Sequence, residues 1–225
     1  EVDVGRRKAN GPMGAAHSPA TVSAPTREQS PPVLDALLEE VRECRACEAH
    51  LPLGARPVVQ AGRGARLVVV GQAPGRSVHE SGVPWDDPSG DRLRGWLGLR
   101  REEFYDPDLV ALVPMGFCYP GSGPGGDRPP RPECAPRWHD RLLPLLTDCR
   151  LRIVVGRHAQ LRYHPAGRAG LTEVVRSWRR LPASLLVLPH PSGRNNRWLA
   201  ANPWFADELL PVVRRRVARA VGRRP

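Results

Sequence analysis

The 225-residue chain has no apolar run approaching the roughly 20 residues that span a bilayer, which excludes a helical membrane protein. No secretory leader is recognisable either, so the expected compartment is the cytoplasm. Lysine is almost missing, and nearly all of the 34 Lys+Arg are arginine. The glycine turn GQAPG at 71–75 has no P-loop lysine behind it and does not continue as GxGxxG, which speaks against a nucleotide-binding α/β module. Acidic residues are outnumbered: 23 Asp+Glu leave a net charge of +11. Arginine suits bidentate phosphate contacts. A polyanionic partner follows, most often nucleic acid, with a general arginine bias of the composition as the plainer reading. There are five cysteines, an odd number. In a cytosolic chain, metal binding or catalysis outranks disulfides.

What the chain does contain is organised around Leu67–Gly75, LVVVGQAPG. An uninterrupted apolar run bounded by turn residues reads as a strand buried on both faces. Pro74 cannot continue a ladder, so Gln72 is expected at the strand's carboxyl end, where open α/β sheets bind ligands. Similar runs stand at Leu109–Val113, Leu151–Val155 and Leu185–Leu188. They alternate with helical patterns. A helix starting at Ser30-Pro31-Pro32 carries Leu34, Leu37, Leu38 and Val41. Others carry Leu93, Trp96 and Leu97, then Trp138, Leu142 and Leu145, then His158–Tyr163 and Leu171–Trp178. A closing helix from near Pro203 carries Leu209, Leu210 and Val213. The alternation predicts an α/β, three-layer α/β/α domain around a central four-stranded parallel sheet.

Residues 1–30 read as a disordered tail and 31–222 as a single domain. Gln72–Gly90 reads as a long turn. Tyr119–Glu133 holds four glycines and five prolines, a loop long enough to suggest function. Arg214, Arg215, Arg216, Arg219, Arg223 and Arg224 form a basic run that suits a solvated helix end or adds non-specific DNA affinity.

Cys44 and Cys47 form CxxC, a common half of a metal site, and Cys118 and Cys134 bracket the Pro/Gly loop. Spacing alone leaves zinc and an iron–sulfur cluster both open. Cys149 reads as a small buried apolar residue.

Six pieces stand in order: CRAC at 44–47, GQAPG at 71–75, SGVPW at 81–85, SG at 89–90, the Cys118/Cys134 pair and HPS at 190–192. Together they resemble an iron–sulfur-containing bacterial member of the uracil-DNA glycosylase superfamily, similar to the family 4 enzymes, over about residues 35–215. The resemblance implies a 4Fe–4S cluster on Cys44, Cys47, Cys118 and Cys134. It also implies a monofunctional DNA-repair glycosylase working as a monomer in the nucleoid. Such an enzyme flips a deaminated base, most readily uracil, out of single- or double-stranded DNA and hydrolyses its N-glycosidic bond, leaving an abasic site.

Carried onto this chain, the resemblance puts Gln72 beside the scissile bond and Ala73 next to it. Trp85 stacks on the flipped base, for which an indole offers a π-face worth roughly 1–3 kcal/mol. His190 donates a hydrogen bond to the base oxygen as charge develops there. Ser192, Gly193 and Arg194 belong to a loop pressed against DNA. Two positions depart from the relatives. Many have a carboxylate where Gln72 or Ala73 stands, so the water-holding group is sought among Gln72, His79, Glu80, Asp87 and Asp127. The relatives usually carry Asn where Pro114 stands, so base reading is expected from main-chain groups near Met115–Phe117 or from Asn195. These departures leave two alternatives: a non-catalytic or covalent binder of uracil or abasic DNA, and a glycosylase preferring hypoxanthine or xanthine. The Tyr119–Glu133 loop has no histidine, which weighs against the covalent version.

Overall fold

The computed structural model describes residues 32–164 and 168–223. The expected tail at 1–30, the Ser30-Pro31 helix start and Arg224 lie outside the described residues. In chain order, α1 (Pro32–Arg42) precedes β1 (Leu67–Val70), followed by α2 (Arg76–Ser81), α3 (Pro88–Leu97), α4 (Arg101–Phe104) and β2 (Val110–Leu112). A small antiparallel hairpin of β3 (Ser122–Gly123) and β4 (Gly126–Asp127) leads to α5 (Cys134–Leu142). Then come β5 (Leu151–Val155), α6 (Arg157–Tyr163), α7 (Leu171–Arg176), β6 (Leu185–Leu188), α8 (Asn196–Ala201) and α9 (Leu210–Val221).

The central sheet runs β2-β1-β5-β6, parallel throughout, as expected from the sequence. Successive strand residues point to opposite faces. Leu67 and Val69 of β1 join Ile153 and Leu186 in a core completed by Leu93 and Leu97 of α3 and Val213 and Val217 of α9. Val68 and Val70 join Val154 and Val187 on the other face, under Leu38 and Val41 of α1 and Trp138 and Leu142 of α5. Every residue of β1 is buried, which is why this strand shows no polar alternation. The chain leaves β1 toward β2 on one side and returns to β5 on the other. The crevice between β1 and β5 is therefore the switch point at which such sheets bind ligands.

Three readings are corrected. The long turn at Gln72–Gly90 contains α2 and the first turn of α3. Asp87 starts α3 by accepting the Gly90 N–H at 2.7 Å, with Pro88 in the first turn. The Tyr119–Glu133 loop contains the β3–β4 hairpin. The closing helix opens with a π-helical turn, Phe205–Leu209, before α9; Pro211 has no N–H to give to a regular ladder there.

Three arginines of the C-terminal run are held by the protein itself. Arg214 donates to the Gly95 carbonyl (3.1 Å), Arg216 to Leu185 (3.4 Å) and Arg223 to Gly98 (2.9 Å). These contacts fasten α9 to α3 and to the sheet. Among the described residues no helix is long and apolar enough to cross a membrane.

Candidate active site

A cavity of about 480 Å³ opens at the carboxyl ends of the strands. Gly71–Gly75 after β1, Pro114 after β2, His158 after β5 and His190, Ser192, Arg194 and Asn195 after β6 all line it. Trp85, Asp87 and Ser89 come from the segment that enters α3, and Asp127 from the hairpin.

His190 and Trp85 face each other in the lining of this cavity. Their rings stack, with centroids 5.6 Å apart and planes 28° apart. The Trp85 backbone sits at φ 58°, the only non-glycine residue with positive φ among those described. A bulky side chain there costs about 1–3 kcal/mol, which the surroundings must offset. They do so on two sides. The Tyr105 hydroxyl donates to the Trp85 carbonyl at 3.2 Å. Gly71 and Gly90 leave the room the indole and its backbone occupy: a Cβ on Gly71 would stand 2.6 Å from the indole, and one on Gly90 would stand 2.7 Å from the Trp85 carbonyl carbon.

His190 is held in one tautomer. Its Nδ1 accepts the Ser192 N–H at 3.2 Å, so the neutral ring carries its proton on Nε2. Burial pushes its pKa down to about 4, with Asp127 opposing the shift and Arg194 adding to it. At neutral pH the ring is therefore an uncharged donor. The loop that carries it is braced from α3: Arg92 donates to the Asn196 Oδ1 at 2.7 Å and reaches the Ser192 carbonyl at 3.5 Å. The Asn195 Nδ2 donates to the His190 carbonyl at 2.7 Å, which leaves Oδ1 as an acceptor in a residue that lines the cavity.

The fold thus brings Gln72, Ala73, Trp85, Asp87, His190, Ser192, Arg194 and Asn195 to one cavity, together with Asp127. Gln72 donates through Nε2 to the Arg128 carbonyl at 3.4 Å, touching the hairpin strand's end. The Arg194 guanidinium rests on the Gly125 carbonyl of the same hairpin. Gly193 is exposed beside the cavity rather than in its lining.

Four expected residues lie elsewhere. Glu80 is exposed on α2 and pairs with Arg76 at 3.1 Å. His79 is buried against Tyr119, with ring centroids 6.1 Å apart, and does not line the cavity. Met115 and Phe117 lie outside the cavity lining, and their main-chain N–H groups are already used. The Met115 N–H donates to Gly71 and the Gly116 N–H to Gln72, extending the β1–β2 pairing. The Phe117 N–H donates to the Cys134 Sγ at 3.3 Å, and its ring is buried beside His139.

The sequence reading gave no role to Arg92 or His158 and quoted Ser89 only within the SG piece at 89–90. His158 stands three residues beyond the end of β5, so its place at the sheet's carboxyl edge was the available signal.

Behind Pro114 sits a buried network. His139, fully buried on α5, bonds the Pro114 carbonyl through Nε2 (2.8 Å) and the Tyr163 hydroxyl through Nδ1 (2.5 Å). Burial pushes its pKa down to about 4 as well. In the unfolded chain both histidines take up protons near 6.5, in the folded chain only near 4. Between those values the unfolded state binds more protons, so stability is lost as pH falls through this window. Between pH 7.5 and 5.0 the loss expected from His139 is about 2 kcal/mol. Urea midpoints at pH 7.5 and 5.0 will check it: the wild type should fall, and His139→Gln should fall less.

Cys44, Cys47, Cys118 and Cys134 line a second cavity on the other side of the Pro/Gly loop, walled by Leu51, Phe117 and Trp138. Burial pushes the Cys134 thiol up to about 12 and Cys118 up to about 11, and the neighbouring cysteines add to both shifts. Among the described residues no three side chains close on a point as around a single metal ion. Four soft donors line one cavity, with an N–H already on one sulfur, a set that suits zinc or an iron–sulfur cluster.

A Type-4 uracil-DNA glycosylase of Archaeoglobus fulgidus is 30% identical over 125 residues, 54% of this chain and 58% of that protein. A Type-4 uracil-DNA glycosylase of Thermotoga maritima is 32% identical over 92 residues, 40% of this chain and 46% of that protein. The chain spans about half the length of the curated relatives it matches. The family model described as Uracil DNA glycosylase superfamily matches residues 59–214, which include β1, all of the cavity lining but Val58, and the His190 loop, and the chain belongs to that superfamily.

Proposed function

We propose that this chain, through residues 31–222 acting as one domain and as a monomer, removes uracil from DNA by hydrolysing its N-glycosidic bond. The observation that carries this reading is the neutral His190 Nε2–H donor stacked on Trp85 in a cavity at the carboxyl ends of a parallel sheet. A base inside a duplex is out of reach, so it is flipped into the cavity at a cost of a few kcal/mol of unstacking. Trp85 offers an aromatic face to the base. His190 donates to a base oxygen as the departing base gains negative charge. Asn195 supplies an amide to the base edge, in place of the amide side chain that Pro114 lacks.

Ser192, Gly193 and Arg194 present the loop to the DNA backbone. The arginine excess supports a polyanionic substrate. The two relatives named as Type-4 uracil-DNA glycosylases support the choice of base. The place of work consistent with this reading is the cytoplasm, at the nucleoid.

Cys44, Cys47, Cys118 and Cys134 would hold a 4Fe–4S cluster, which when bound supplies a cross-link rather than reactive chemistry. Its ligands would tie the end of α1 to α5 and to the base of the Pro/Gly loop, and so fix the hairpin beside the cavity.

The test is single-turnover cleavage of uracil-containing oligonucleotides, with hypoxanthine and xanthine substrates in parallel. Excision of uracil ahead of the purines is expected; absence of abasic product at stoichiometric protein overturns the reading. Iron and acid-labile sulfide in equal amounts in the purified protein test the cluster, and zinc in their place refutes it.

A further inference from the structure

GQAPG has no carboxylate at Gln72 or Ala73, yet two carboxylates meet at the end of this turn. A Cβ on Gly75 would lie 3.5 Å from the Asp127 Oδ2 and 4.0 Å from the Asp87 Oδ2. Gly75 and both acids line the same cavity. The two acids differ in what else they do. Asp87 caps α3 through the Gly90 N–H. Burial, with smaller contributions from Asp91 and Asp127, pushes its carboxyl toward the protonated form. Asp127 sits at the end of β4. Its Oδ1 accepts the Ser122 hydroxyl at 2.9 Å, and Ser122 is in turn 2.7 Å from the Tyr119 hydroxyl. One oxygen of Asp127 is thereby fixed by the hairpin, while the other faces Gly75.

The hairpin is also seated against the cavity from two directions. Gln72 donates to the Arg128 carbonyl and Arg194 to the Gly125 carbonyl. Asp127 therefore reaches the site from an element held by both the first motif and the His190 loop.

Resting on the glycosylase reading above, we propose that Asp127 is the catalytic carboxylate of this chain: it holds and deprotonates the water that attacks the sugar, in place of an acid in the GQAPG turn. The step balances without a further reactant. The C1′–N bond breaks and its electron pair leaves with the base, whose oxygen charge His190 Nε2–H stabilises. The water oxygen bonds C1′ and its proton passes to the Asp127 Oδ2. Asp127 returns that proton to solvent, and the released base takes one up. The Pro/Gly loop thereby gains a catalytic part. Its cysteine-bracketed ends anchor the hairpin, and the hairpin delivers the acid.

The test compares wild type, Asp127→Asn and Ser122→Ala in single-turnover uracil excision, with affinity for an oligonucleotide carrying a stable abasic-site analogue measured beside it. Asp127→Asn keeps the shape of the side chain on an exposed hairpin. It is expected to slow excision about 10²-fold or more, the effect of losing a positioned base, while analogue affinity stays within about threefold. Ser122→Ala frees the carboxylate without removing it and should cost less. Excision by Asp127→Asn within about threefold of an active wild type overturns the proposal. So does a parallel loss of rate and analogue affinity, which would make the hairpin a DNA-shaping element only. An inert wild type overturns the glycosylase reading, and this proposal with it.

Discussion

Replacing His190 by alanine is expected to lower single-turnover excision about 10²–10³-fold, the usual cost of removing one preorganised donor from a developing oxyanion. The ring suits that task because of how it is held. Ser192 fixes the tautomer, Trp85 fixes the plane, and burial keeps the ring uncharged down to about pH 4. An uncharged donor strengthens as the base becomes anionic, and it avoids leaving a buried cation behind once the product departs. Affinity for abasic-site DNA should change little, since that product has no base to receive the bond. The same geometry predicts the pH profile. Below its pKa of about 4 the histidine would be charged, so its titration leaves no mark on the rate between pH 5.5 and 8. A break in that range which disappears in His190→Gln would show that the ring titrates near its ordinary value instead.

How much of this could be read beforehand differs by element, for physical reasons. β1 was legible because a strand covered on both faces has a composition that few other environments allow. The strand alternation with helices carried the sheet order's parallel sense, and the CxxC with its distant pair carried the thiol cavity. α2 and α8 have six residues each and the β3 and β4 strands two, too short for any periodicity to register. That the main-chain donors of Met115–Phe117 are taken was hidden for another reason. Which partner a main-chain N–H takes is settled by the neighbouring strand and, for Phe117, by a sulfur 17 residues away. Glu80 and His79 were suggested by closeness to the motif in sequence. A helical turn then carried one outward to Arg76 and the other inward to Tyr119. Asp87, in contrast, directly precedes Pro88 and starts a helix, so its short side chain was placed by capping chemistry that the sequence already contains.

Two glycines of α3 should respond in opposite directions to the same substitution. Gly95 is exposed in the last turn of the helix, and nothing lies within 4 Å of where its Cβ would be. Gly95→Ala is expected to stabilise the protein by about 0.5–1 kcal/mol, because alanine loses less backbone freedom in a helix. Gly90 is buried in the first turn, and its Cβ would meet the Trp85 main chain, 2.7 Å from the carbonyl carbon and 2.9 Å from the Trp85 Cβ. Backbone cannot yield as a flexible side chain does, so Gly90→Ala is expected to cost about 3 kcal/mol or more. The damage should reach the site by a defined route. Trp85 is already at φ 58°, its carbonyl is tied to Tyr105, and its ring lies on His190. Any shift that relieves the clash must break the stack or the hydrogen bond. Thermal unfolding of the two variants, with uracil excision measured well below their midpoints, separates the effects. Gly95→Ala should melt higher at unchanged rate. Gly90→Ala should melt lower and excise more slowly even while folded. A Gly90→Ala protein of wild-type midpoint and rate would show that the SG pair at 89–90 does not set the position of Trp85.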